Sequence, residues 1–123
     1  MKKSLAIALA LAFAFGYAGM AAAGDAANGE SLWASKKCKN CHNMDAKKKV
    51  GPGLAGITKK RSAEWLTKWL LDPDGVFASD DAETAAMKKD NGVEAAKKTK
   101  MKIAKLSEGE VADLMAYIAA NGG

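Results

Sequence analysis

The sequence predicts an all-α domain, and three observations carry that expectation. No run alternates apolar and polar residues with a strand's period of two for long enough to build a sheet. Large apolar residues recur instead at helical spacing, in Trp65, Leu66, Trp69 and Leu70 and again in Val111, Leu114, Met115 and Ile118. Both periodic runs begin behind a serine able to cap a helix, Ser62 and Ser107.

The chain opens on a segment of a different kind. Met1-Lys2-Lys3 is a short positive start, Ser4 to Ala23 carries no charge, and Ala21-Ala22-Ala23 offers the small residues that signal peptidases cleave behind. This order predicts a secretory signal peptide over 1–23 and a mature domain over 24–123. An uncleaved anchor is the rival reading, since the apolar run approaches the ~20 residues that cross a bilayer. The alanine-rich composition favours cleavage, after which no stable membrane insertion is expected.

Within the mature domain, residues 26–37 read as a helix carrying Leu32 and Trp33. From Asn43 to Lys60 the chain is polar and glycine-rich, with Gly51-Pro52-Gly53 as an irregular turn. Ser62 caps a helix over Ala63 to Leu71, and Asp72-Pro73 ends it. Asp80 to Lys89 has an acidic start and a basic end, which predicts a short solvated helix stopped at Asn91-Gly92. The lysine-rich stretch to Lys105 reads as loop. Ser107-Glu108-Gly109-Glu110 is a capping box opening the last helix, with serine at the cap and glutamate three residues on.

Charge excludes one function class. Lys2 and Lys3 leave with the leader, so 19 basic residues become 17 against 14 acidic, a net of +3. So mild a balance argues against a dedicated nucleic-acid binder. A domain of this size also buries only about two-thirds of its unfolded surface, so a large apolar cofactor would add much to its core.

The chemistry lies in residues 38–42, Cys-Lys-Asn-Cys-His. On a helical turn, cysteines three apart face one side, so both sulfurs reach the vinyl groups of one porphyrin, and the adjacent histidine offers its imidazole to the iron. This is the c-type haem attachment signature. Three other readings compete. A thioredoxin-like redox pair expects a βαβ setting, which is missing. A structural zinc site needs four ligands, and the chain has two cysteines and one histidine. Inert paired thiols are a poor fit to an exported protein, and a disulfide closing so short a loop would add little stability. The reading adopted is one covalent haem c, with Cys38 and Cys41 as tethers and His42 as an iron ligand.

With one histidine in the chain, a methionine thioether is the expected sixth ligand. Met44 is too close to His42 to reach the opposite porphyrin face, and Met115 belongs to the apolar face of the last helix. Met87 and Met101 remain.

In order along the chain, Gly29 and Trp33, Cys38 to His42, Val50-Gly51-Pro52-Gly53-Leu54, the Trp65 helix ending in Asp72-Pro73, Thr99-Lys100-Met101, and the helix from Leu106-Ser107 through Tyr117 resemble a small class I bacterial cytochrome c. The resemblance covers nearly all of 24–123. It implies that the first and last helices cross near Gly29 and Tyr117, that the Pro52 carbonyl accepts a hydrogen bond from His42, and that Met101 is the sixth ligand. It also implies that Trp65 reaches a haem propionate through its indole N–H. The sequence departs from the family in Lys102, where proline often follows the ligand, and in a longer, more charged segment over 74–98.

The function implied is that of a monomeric periplasmic electron carrier between redox proteins. Lys36, Lys37, Lys39, Lys47, Lys48 and Lys49, with Lys97, Lys98, Lys100, Lys102 and Lys105, would give it a positive ring for partners with acidic docking surfaces. A haem enzyme or gas sensor with a labile sixth ligand, and an electron-relay subunit of a larger oxidoreductase, are the alternatives.

Overall fold

Asp25 caps the first helix, its side chain accepting from the backbone N–H groups of Ala27 and Asn28. The computed structural model describes residues 24–123; the leader expected over 1–23 lies outside the described residues. Capped in this way, helix α1 runs over Ala26–Ser35 and buries Gly29, Leu32 and Trp33. It packs across the last helix, α6, Glu108–Ala120, which buries Val111, Leu114 and Ile118. The capping box at Ser107 is complete, with Ser107 Oγ accepting from Glu110 N–H and the Glu110 carboxylate accepting from Ser107 N–H.

Crossing is possible because α1 carries a glycine where the helices meet. A Cβ at Gly29 would run into the Asp113 carbonyl and lie 2.7 Å from Tyr117 Cβ. Trp33 and Tyr117 then meet as tilted rings, 5.9 Å between centroids. Asp113 ties the far end, accepting from Asp25 N–H at 2.7 Å and from Asn28 Nδ2 at 2.6 Å. Val111 and Leu114 are each only 1% exposed, so this crossing is the centre of the core.

Between these helices the chain forms four shorter ones: α2 over Ile57–Lys60, α3 over Ala63–Leu71, α4 over Pro73–Ala78 and α5 over Ala82–Asp90. Ser62 caps α3 as expected, its Oγ accepting from Trp65 N–H. Asp72-Pro73 ends α3 and at once starts α4, because Asp72 caps Gly75 N–H and proline suits the first helical position. The sequence had pointed only to the stop; α4, and the single turn α2 in the stretch expected to be irregular, are additions. Among the described residues no strand forms, so the fold is all-α.

The charged segment differs from expectation in one respect. Helix α5 forms where a solvated helix is expected, capped by Asp81 and closed at Asn91, but it is docked. Its Thr84 is fully buried and accepts the Trp65 indole N–H at 3.0 Å. Glu83 accepts from both the backbone N–H and the hydroxyl of Ser62, and Asp90 pairs with the buried Arg61 at 2.6 Å. Three polar ties thus fasten α5 to the start of α3.

Candidate functional site

Helix α1 is closed by Lys36 N–H on the Leu32 carbonyl and by Lys37 N–H on that of Ala34. Lys37 then takes a left-handed backbone, φ 62°, the only non-glycine among the described residues to do so. This reversal launches a 3₁₀ turn over Cys38–Asn40. The Cys38 carbonyl accepts from Cys41 N–H at 3.2 Å and from His42 N–H at 3.0 Å, so Cys38, Cys41 and His42 share one turn.

Both cysteines are free thiols; Cys38 is buried in the core cluster and Cys41 is half-buried. Burial pushes the Cys38 thiol up, with the neighbouring Cys41 adding to it against a backbone hydrogen bond. Among the described residues no group of His, Cys, Asp or Glu could hold a bare metal ion.

His42 is oriented by the loop that follows. Its Nδ1 lies 2.8 Å from the Pro52 carbonyl oxygen, which can only accept. Nδ1 therefore donates to that oxygen, which makes Nε2 the ring nitrogen that would face an iron. Gly51 lies against the ring: a Cβ there would stand 2.6 Å from His42 Cε1. The loop is pinned to the turn by Gly51 N–H on the Cys41 carbonyl at 2.7 Å and by Lys49 Nζ on the Lys39 carbonyl at 2.9 Å. Two free thiols and one oriented imidazole on a single turn are the donor set that covalent haem requires.

Met101 is half-buried and packs against the core cluster that contains Cys38. Its backbone N–H donates to the buried Thr99 Oγ1 at 3.1 Å, and its Sδ accepts the Trp69 indole N–H at 3.1 Å. Met44 and Met115 also pack against that cluster, whereas Met87 sits half-buried on α5.

Trp65 departs from expectation. Its single N–H is committed to Thr84 inside the protein, so the donor that the resemblance assigns to a propionate is already engaged. A second donor lies nearby on Arg61, which the sequence did not single out: its Nη2 pairs with Asp90, whereas its Nε–H does not. Arg61 is 8% exposed, its guanidinium lies 6.0 Å from the Trp65 ring centroid, and its Nε–H is buried with no partner. A buried, unpaired donor on a cation fits an anionic acceptor such as a carboxylate. Nothing but a lone arginine in a lysine-rich loop marked it in the sequence.

Comparison with known proteins agrees with this geometry. The profile of the family described as Cytochrome c matches residues 26–121. The chain belongs to the cytochrome c family. Cytochrome c from Rhodothermus marinus is similar in structure, with a TM-score of 0.62 at 25% identity, covering 79% of this chain and 76% of that one. An engineered form of the Rhodothermus marinus protein, bound to a carbene intermediate, matches with a TM-score of 0.60 at 22% identity over the same shares. A search among curated proteins finds no match. The cytochrome is thus a small class I cytochrome c with covalent haem c as its cofactor, and the family's general role is haem-based electron transfer.

Proposed function

We propose that this cytochrome is an exported, monomeric, single-electron carrier of the periplasm, its haem tethered by Cys38 and Cys41 and its iron held between His42 and Met101. The observation that carries the reading is the shared turn of Cys38, Cys41 and His42, with the imidazole fixed on the Pro52 carbonyl. The haem supplies the redox chemistry, while the protein sets potential, access and docking. Met101 is preferred to Met87 because it packs against the cluster holding Cys38. The buried Nε–H of Arg61 is the proposed partner of a propionate, in place of Trp65.

A methionine in the sixth position leaves no open coordination site, which favours a carrier over a haem enzyme or sensor. Among the described residues no helix is long and apolar enough to cross a membrane. The lysines beside the haem motif and around Met101 are nearly all exposed, in keeping with partners that present acidic surfaces.

The deciding experiment is expression in a bacterium able to mature c-type cytochromes, followed by a pyridine haemochrome spectrum. A red periplasmic protein with the spectrum of two thioether bonds is expected. A colourless protein with both thiols open to a labelling reagent would overturn the reading. Rapid carbon monoxide binding to the reduced protein would overturn the carrier assignment alone.

A further inference from the structure

A methionine side chain has three rotatable bonds, so a sulfur meant to ligate from one direction needs something to hold it there. Around Met101 the structure supplies that restraint from two sides. The backbone is held by the Met101 N–H donating to Thr99 Oγ1 at 3.1 Å. The sulfur is fixed by the Trp69 indole N–H at 3.1 Å.

That indole is itself tightly placed. One face stacks on Trp65, 5.2 Å between centroids and 14° from parallel, and Phe77, 3% exposed, meets it tilted at 6.4 Å. Trp65 is anchored in turn by Thr84. The direction of the Trp69 N–H is thus supported by rings packed against the indole from two sides.

We propose that Trp69 is a positioning residue for the sixth ligand. Its N–H engages one lone pair of the Met101 sulfur and leaves the second for the iron. This rests on the reading of Met101 as that ligand. A donor on the sulfur draws electron density from it, weakens its donation to ferric iron more than to ferrous, and so favours the reduced state.

Trp69→Phe keeps a flat ring in the stack and removes the donor. The ferrous-over-ferric preference should fall about threefold, which 59 mV per tenfold for one electron converts to about 30 mV of lowered potential. In the unaltered ferric protein, the Trp69 Nε1 proton should also show a paramagnetic shift in the NMR spectrum that the Trp33 indole proton lacks. This readout decides the matter even if Trp69→Phe fails to mature.

Met101→Ala separates the two levels of the argument. Should it leave the methionine–iron charge-transfer absorption intact, the ligand reading fails and takes the inference with it. Should it abolish that absorption while Trp69→Phe leaves the potential unmoved, or while the Trp69 proton resonates at an ordinary position, only the role of Trp69 is overturned.

Discussion

Gly29 and Tyr117 meet with no room for another carbon between them: a Cβ on the glycine would stand 2.7 Å from Tyr117 Cβ and inside the Asp113 carbonyl. The obstruction is backbone as well as side chain, so rotamer changes cannot relieve it. Gly29→Ala should destabilise the protein by about 3 kcal/mol, the upper end for overpacking, against a helix-propensity gain of about 1 kcal/mol at most. Urea unfolding of the holoprotein measures this, and an unchanged midpoint would refute the tight crossing.

Gly51 does for His42 what Gly29 does for the helices. A Cβ at Gly51 would press on the imidazole at Cε1 and Nδ1, at 2.6 and 3.0 Å. Gly51→Ala should tilt the ring off the Pro52 carbonyl and loosen the iron ligand proposed at His42. Faster exchange of an added iron ligand, with the thioether spectrum preserved, is the expected result.

Lys37 pays for its left-handed backbone, about 1 kcal/mol for a residue with a Cβ. Lys37→Gly removes that strain and adds unfolded-chain entropy of similar size, so stability should change by less than about 1 kcal/mol. Lys37→Val should cost more than either, since a β-branched residue strongly resists this conformation. Thermal unfolding of the pair separates strain from side-chain loss; equal midpoints would refute it.

Acid should weaken the cap of α5 and its tie to Ser62, together with the α1–α6 tie through Asp113. Hydrogen bonds from the Ser79 hydroxyl, then the Thr84 backbone and hydroxyl, hold the Asp81 carboxyl at about 2, below its ordinary 3.8. Glu83, held by Ser62, and Asp113, held by Asp25 and Asn28, are lowered as well. A carboxyl with a depressed folded-state pKa stabilises fully above its unfolded value, and that contribution is lost as pH falls through the folded one. For Asp81 the window runs from 3.8 down to about 2. Asp81→Asn should flatten the fall of stability across that window relative to the parent, as followed by unfolding midpoints at successive pH values.

The helices that form the frame were legible because local signals and packing agree there: Ser62 and Ser107 cap, and the buried faces of α3 and α6 follow the periodic apolar residues. The shared turn of Cys38, Cys41 and His42 was legible because five consecutive residues carry it. What escaped depends on partners distant in sequence. Asp72-Pro73 reads as a stop, and only its side-chain bond to Gly75 reveals that it also starts α4. Thr84 looks like one more polar residue of a charged helix until Trp65, 19 positions earlier, is found donating to it. Trp65 and Trp69 share a helical face and stack, yet their N–H groups part company, one to Thr84 and one to Met101, which spacing alone cannot tell.

The way α5 is fastened has a consequence for how the molecule breathes and how it could change. Crosslinks made of hydroxyls and charges, with a single interior side chain among nine helical residues, give way one at a time, whereas the Val111–Leu114 centre must give way together. Amide protons of Ala82–Asp90 should accordingly trade with solvent through a partial opening that leaves the rest of the molecule shut. A part attached on such terms can be lengthened, trimmed or recharged over generations while the interior that grips the porphyrin is left as it was.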